Sequence, residues 1–482
     1  MEILHPINDP QLVSYHRKEL VANLPNLELA LDCWSLMNTE TKGSSKKKYI
    51  TKERAEPNEA YLERVKRSAY TPIYRDSIKA YAGLLSRFTI SNPPQSIEEW
   101  KDNVDLQGSS FQNFFTRADE LTIRDGGCFI YVEMMRKLDD SESNAIDERS
   151  DGRHPYLVLI ERKDVINWSV DYIDGRERIK HATFRQIQQF EEGAYGVTLE
   201  PIYRCIKPYE VRSYRLERSS TDGTWRQSEI GAPVRTSMPF VPLVWYGASS
   251  SRFAQSDIPL SGLAELSIHH FQSRSDLTEL FRKCAMPVPV RKGVWSEGSS
   301  AKPLVIGPNS CQDLPGEGSD FFFSEPRGSS LQRHQDEIRH IEMLMDRSGL
   351  NFLYGANIKT ATEASLRASQ VASQISALIR NKISAFNMMM RYWALYAGEQ
   401  AQITKESGII VNDSLINRPI DPSGIAQLIN LRDAQIISTE TALNELKRGG
   451  VLDPDMDLLE ELSRVNEEYP KPPPTDNETK TR

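Results

Sequence analysis

Residues 360–376 read TATEASLRASQVASQIS, and ten of these seventeen residues are Ala, Ser or Thr. Thr360 and Glu363 have the spacing of a capping box, and no Gly or Pro follows for many residues, so a helix is expected, continuing to about Ala397. Side chains this small each bury little apolar area. Their order is nevertheless regular. Ala364, Ala368, Ala372 and Ser376 form one i+4 row, and Ser365, Ser369, Ser373 and Ala377 form the next. A heptad seam would instead alternate steps of three and four with large apolar residues. Rows at strict i+4 are ridges inclined about −26° to the axis, which suit a neighbour crossing near −50° and let two backbones come close. Leu366, Val371, Ile375, Leu378 and Ile379 flank the ridges as anchors. Two readings stand at this point: an inner helix packed on its own chain, or a slanted helix packed against copies of itself around a ring.

Upstream of this helix, LQRHQDEIRHIEMLMDRSGL (331–350) and PLSGLAELSIHHFQSRSDLTELFRKCAM (259–286) have helical spacing, the latter bounded by Pro259 and Pro287. Between them, residues 287–330 are rich in Gly, Pro and Ser, with short strand candidates at VPVRKGVW, PLVIG and DFFFSE. From Pro155 to about Tyr246 the runs YLVLIER, DVINWSV, EVRSYRL and FVPLVWYG alternate with turns, a β-rich region. Before it, residues 59–90 are apolar at helical spacing with a break or kink at Pro72. A helix over 111–124 presents Phe111, Phe114, Phe115, Ala118 and Leu121, and Asp125-Gly126-Gly127 turns into the strand CFIYVEMM. LDDSESNAIDERSDGR reads as a polar loop. After the long helix, PSGIAQLINLRDAQ and TETALNELKRGG read as shorter helices, and the tail YPKPPPTDNETKTR is too polar and Pro-rich to fold. The class is α+β.

The chain of 482 residues carries a formal charge of −8, and residues 401–470 alone hold six Lys or Arg against thirteen Asp or Glu. No concentrated basic patch stands out, which disfavours a tight grip on duplex DNA and leaves weak, sliding contact open. No apolar run approaches the roughly 20 residues that span a bilayer, and MEILHPINDPQ lacks the regions of a signal peptide. Five scattered cysteines, Cys33, Cys128, Cys205, Cys284 and Cys311, form no CxxC pair and read as reduced.

Catalytic signatures are missing. There is no GxxxxGK[ST] loop and no GxSxG elbow, and the glycines of LPGEGSDF read as a surface turn. His269 and His270 point about 100° apart on a helix. His334 and His340 are six residues apart, where a helical metal motif needs four. No catalytic residue, metal or cofactor is therefore assigned. The charges around Asp336, Glu337, Glu342 and Asp346 alternate with Arg333, Arg339 and Arg347, the pattern of a solvated or inter-subunit face.

From about Glu59 to Asn466 the chain resembles the portal proteins of tailed bacteriophages, the head-to-tail connector family. The resemblance rests on five segments in order: PLSGLAELSIHHFQSRSDL, GVWSEGSSAKPLVIGPNSCQDLPGEGSDFFFSEP, LQRHQDEIRHIEMLMDRSGL, NFLYGANIK and TATEASLRASQVASQIS. The closing TETALNELKRGGVLDPDMDLLEELSRVNEE is also similar. The resemblance implies an N-terminal region and α/β wing (1–258), an incoming stem helix (259–286), a small α/β clip (287–330) and a returning stem helix (331–350). A tunnel loop (351–361), a long wing or channel helix (362–400), an α-helical crown (401–470) and a disordered tail (471–482) complete it.

It further implies a dodecameric ring at one capsid vertex of the virion, assembled in the host cytoplasm. Double-stranded DNA would pass through weakly and non-specifically, beside the major capsid protein, the large terminase and then the head–tail adaptor. Arg347, Asn351, Tyr354, Asn357 and Lys359 would face the channel. Trp295 with Arg291, Lys292, Glu297 and Lys302 would dock a partner, the alternative being that Trp295 fills a small core of its own segment. Ala364, Ala368, Ala372, Ser365 and Ser369 would pack copies together. Arg274, Asp276, Glu279, Arg282 and Lys283 would form charge pairs between copies with the residues from Arg333 to Arg347. The alternatives are another ring-forming head or tail component and, with less support, a DNA-packaging enzyme.

Overall fold

A computed structural model describes residues 5–35, 44–135, 152–173, 176–193, 195–220, 223–249, 252–284, 288–292, 320–324, 329–348, 361–411, 422–434, 436–448, 451–452, 456 and 458–468, with the backbone alone for 361–374 and for 44–45, 173, 176–177, 283–284, 288–289, 291, 323–324, 329–330, 422–424, 448, 459 and 466–468. Helices and antiparallel sheets are both present, so the fold is α+β. The chain forms two compact units. One comprises residues 1–27, 78–259 and 352–482; the other comprises 28–77 and 260–351.

The larger unit is built around strand Gly127–Met134, the middle of a three-stranded antiparallel sheet between Leu243–Gly247 and Pro155–Glu161. Its residues alternate between two cores, as a period of two requires. Cys128, Ile130 and Val132 join Phe111, Phe114 and Phe115 of helix Phe111–Asp125, together with Phe386, Met389 and Trp393 of helix Ala361–Ala397. Phe129 and Tyr131 join Val165, Trp168, Phe184 and Tyr203 of a second, larger antiparallel sheet. That sheet runs in the order Val165–Ile173, Arg176–Glu192, Gly196–Lys207, Glu210–Arg218 and Trp225–Glu229. Layers of helix, sheet and sheet therefore share one strand whose two faces are both dry.

The junction that aims this strand is local. Ser110 caps helix Phe111–Asp125 by accepting from the Asn113 amide at 3.3 Å. Gly126 ends the helix at φ +78°, and a Cβ there would lie 2.6 Å from the Asp257 carbonyl oxygen.

In the smaller unit, helices Ser261–Cys284 and Ser329–Ser348 lie against each other, and strands Val288–Lys292 and Asp320–Ser324 pair between them in sequence. Helix Asn58–Arg67 packs on the first of these: Ser68 Oγ lies 2.8 Å from Ser275 Oγ, and Tyr70 meets Phe271 edge-on at 5.9 Å.

Several sequence expectations need correction. The apolar stretch over 59–90 does break at Pro72, as one of the two expectations had it, but its last residues leave the helical pattern. It is Asn58–Arg67, a break up to Pro72, helix Ile73–Leu85 and then strand Phe88–Ser91, which pairs with Gly408–Val411. A strand at the end of a helical pattern is chosen by its distant partner, 323 residues away at Phe88↔Val411, and local spacing cannot register it. Helices Lys18–Trp34 and Gln95–Trp100 also emerge without a sequence expectation. The long helix stops at Ala397, where Gly398 takes φ +70°. The polar stretch after Met135, the PLVIG strand candidate and the C-terminal tail lie outside the described residues, except for Gly152 and Arg153 of the first.

Candidate functional site

Every sequence-derived candidate residue falls between residues 259 and 397. On helix Ser261–Cys284, Leu263, Ala264, Ser267 and Phe271 are buried, and His270 is buried while adjacent His269 is exposed. The two histidines diverge as the helical step requires. His270 Nε2 lies 3.2 Å from Glu342 Oε1 of helix Ser329–Ser348. That helix buries only a narrow stripe, Ile338, Ile341 and Met345. Arg333, His334, Asp336, Glu337, Arg339 and Arg347 stand exposed, so most of its charged surface faces away from its own unit.

The charges of the first helix behave differently from expectation. Glu279 pairs with Arg67 at 3.1 Å, Asp276 lies 3.7 Å from Arg64, and Arg274 donates to the Thr71 hydroxyl at 3.2 Å. Arg64 is itself buried and pairs with Glu56 at 2.8 Å. Arg274, Asp276 and Glu279, three of the five charges expected to pair between copies, thus have partners within the chain on or just after helix Asn58–Arg67. On the other helix, Arg339 pairs with Asp336 at 3.3 Å, one turn away.

In the hairpin, Lys292 stands opposite Asp320, both exposed, and Phe322, 44% exposed, stands opposite Val290. Arg291 faces Phe321 in register. Trp295, Glu297 and Lys302 lie outside the described residues, so the proposed docking set is located only at Arg291 and Lys292. Of the channel set, Arg347 is exposed in the last turn of its helix, while Asn351, Tyr354, Asn357 and Lys359 lie outside the described residues.

Ala364, Ser365, Ala368, Ser369 and Ala372 lie on a continuous helix, Ala361–Ala397, as their spacing requires; their side chains lie outside the description. From Ile375 onward the helix belongs to its own chain. Ile375, Leu378, Ala385, Phe386, Met389, Met390 and Trp393 are buried at intervals of three and four. The helix therefore divides into a first part of small residues and a second part that is core.

Inside that core sits a charged pair that sequence reading missed. Lys382 and Asp119 side chains are fully buried, with Nζ 2.6 Å from Oδ2. Lys382 also donates to the Leu85 carbonyl at 2.7 Å and lies 4.5 Å from the Phe88 ring centroid. Tyr246 OH donates to the other carboxylate oxygen at 2.7 Å. Burial pushes the Asp119 pKa up and the Lys382 pKa down, each opposed by the other charge. The signal was present in the pattern: Lys382 falls in the stripe of Ile375, Leu378, Phe386 and Met389, and Asp119 lies four residues after Phe115.

A second buried pair joins the sheets. Arg204 reaches both carboxylate oxygens of Glu133, at 3.0 Å to Oε2, and Tyr156 OH donates to Oε2 at 2.7 Å. Both pairs are closed within the larger unit's interior and offer no open position for a substrate. Among the described residues, no group of three or more His, Cys, Asp or Glu side chains is arranged to hold a metal ion, and no helix is long and apolar enough to cross a membrane.

Residues 259–397 match the family model described as a domain of unknown function, DUF4055. The match opens two residues before helix Ser261–Cys284 and closes with the last residue of helix Ala361–Ala397. No curated protein matches the chain. Among solved structures, a chain in the virion of a native gene transfer agent particle is 11% identical, with 80% of this chain and 91% of that chain covered and a TM-score of 0.36. A chain in the neck of an empty particle of the same kind, computed with C6 symmetry, is 11% identical, with 79% and 90% covered and a TM-score of 0.33. Overlaps this loose leave fold and function to the residues themselves.

Proposed function

We propose that the chain is a portal-type protein of a tailed bacteriophage or phage-like particle, a ring at one capsid vertex through which double-stranded DNA is packaged and released. The observation that supports this reading is the order of elements: helix Ser261–Cys284, paired strands Val288–Lys292 and Asp320–Ser324, helix Ser329–Ser348 and, after residues 349–360, the 37-residue helix Ala361–Ala397. An α+β body precedes this series and short helices follow it.

On this reading the two antiparallel-connected helices are the stem, about 30–36 Å long at 1.5 Å per residue and 20 to 24 residues each, enough to line a passage through a shell. Residues 287–330 are the clip, 351–361 the tunnel loop, 362–400 the long helix, 401–470 the crown, and the region up to 258 the wing. The exposed charges from Arg333 to Arg347 face a neighbouring copy or the channel. Each exposed pair contributes on the order of 0–1 kcal/mol, and repetition around a ring sets the register.

A channel without a dense basic lining lets DNA slide, because many phosphate contacts would hold it. Arg347 and Lys359 supply the few positive contacts, with Asn351, Tyr354 and Asn357 as neutral ones. Arg291, Lys292, Trp295, Glu297 and Lys302 meet terminase and then the adaptor, and the protein resides in the virion. Twelve copies is the expected number.

Native mass spectrometry with negative-stain microscopy tests this reading. A closed ring with a central channel wide enough for a duplex is expected. A monomer at every concentration, or clear ATPase or nuclease turnover by the pure chain, overturns it.

A further inference from the structure

The larger sheet carries a feature that its own unit does not use. Strand Arg176–Glu192 pairs with Val165–Ile173 only as far as Phe184, and strand Gly196–Lys207 pairs with Glu210–Arg218 only from Tyr203 onward. Beyond Arg185↔Tyr203 the two strands pair with each other alone, from Gln186↔Ile202 out to Glu192↔Gly196. A two-stranded ribbon standing by itself is marginal in water.

Its two faces differ. One face holds Phe190 and Glu200, and Arg215 of the neighbouring strand covers it, 4.5 Å from the Phe190 ring centroid and 3.2 Å from Glu200. The other face holds Ile187 opposite Pro201, Gln189 opposite Leu199 and Glu191 opposite Val197. There Ile187 is 56% exposed, Leu199 61% and Val197 58%. A face of four apolar residues, with Gln189 and Glu191 among them, is thus left largely in water.

The same unit also contains an open apolar groove of about 660 Å³, bordered by Val170, Ile179, Phe240, Met388 and Tyr392, with Arg178 on its lip. Met388 is 44% exposed there. The arm cannot fill its own groove. Ile179 borders the groove and Ile187 lies eight residues along the same continuous strand, roughly 27 Å away at about 3.4 Å per residue.

From this we infer that the arm of one protomer, residues 185–202, seats its apolar face in the groove of a second copy. There Ile187, Leu199 and Val197 meet Phe240, Met388 and Tyr392, and Glu191 approaches Arg178. The two surfaces differ, so the contact is head-to-tail, the kind that closes into a ring when its rotation permits. The partner is named within the ring reading above, but the contact can form whether or not the assembly is a portal.

The full-length chain carries the test. Leu199→Cys combined with Met388→Cys, under mild oxidation, should yield a ladder of covalent multimers that neither single variant nor the parent with its native cysteines yields. Ile187→Asp with Leu199→Asp should keep the parent circular dichroism while requiring at least tenfold more protein to assemble. Glu191→Arg and Arg178→Glu should each weaken assembly, and together restore it.

A ladder from filaments or short oligomers supports the arm contact and sinks the portal reading. Closed rings without a ladder, and with normal assembly of the Asp variants, overturn the arm contact and leave the portal reading standing. An internal disulfide confined to single chains overturns the arm contact, because the arm then reaches its own groove. A monomer with no ladder overturns both.

Discussion

Lys382 and Asp119 lie 263 positions apart, and their pairing ties helix Ala361–Ala397 to helix Phe111–Asp125 inside one core. Replacing Lys382 with Met leaves the Asp119 carboxylate buried beside Tyr246 without its counter-charge. The expected loss is about 3–5 kcal/mol, read as a lower urea midpoint. Adding Asp119→Leu should recover a good part of that loss, since an apolar pair needs no solvation; a double variant weaker than the single one would contradict this account. Four histidines offer a second measurement. Burial lowers the pKa of His5, His16, His154 and His181 below the ordinary 6.5. His154 also stacks on Trp100 at 3.7 Å. Groups with lowered values contribute stability that is present above pH 6.5 and lost as pH falls through their folded values, because the unfolded chain then takes up more protons. The urea midpoint should therefore fall between pH 7 and pH 5, and His154→Phe, which keeps a ring against Trp100, should flatten part of that slope.

At the scale of elements, spacing and turn chemistry read well wherever a segment decides its own state. The Asp125-Gly126-Gly127 turn is such a case, and it yields a prediction. Gly126→Ala places a Cβ at φ +78° against the Asp257 carbonyl and should cost at least about 1–2 kcal/mol, measured by the shift in thermal midpoint. The long helix was legible in extent but not in division. Trp393 is fully buried, so Trp393→Ala should cost about 3–5 kcal/mol and lower the thermal midpoint of the chain. Ala368→Leu and Ala372→Leu lie in the small-residue part. They should hinder ring assembly, seen by native mass, while the thermal midpoint of the protomer stays near that of the parent. If both assemble normally, that part of the helix is a private element. Strand Phe88–Ser91 shows the limit of local reading: its four residues look helical until Gly408–Val411 arrives beside them.

For the whole molecule, the proposed ring makes a demand on charge. With a formal −8 and no concentrated basic patch, the assembled protein should not retard linear duplex DNA at physiological salt, whereas firm retention that persists at higher salt would contradict a sliding channel. Much of the candidate site was readable one residue type at a time. The helix–hairpin–helix order, the exposed Arg347 and Lys292, and the small-residue rows all follow from the chain itself. The pairing of Asp276 and Glu279 within the chain was not legible, because Arg64 and Arg67 reach them from more than 200 positions away.

The sequence by itself determined the α+β class and the order of elements from helix Ser261–Cys284 to the long helix, with its end at Ala397, because those depend on residues within a turn or two of one another. Only the tertiary structure decided which charges are buried or paired at home, how three separated stretches of chain form one unit, and that a two-stranded arm leaves an apolar face in water. Those depend on which distant surfaces meet. Burial, unlike helical period, is a property of the meeting and not of either segment alone.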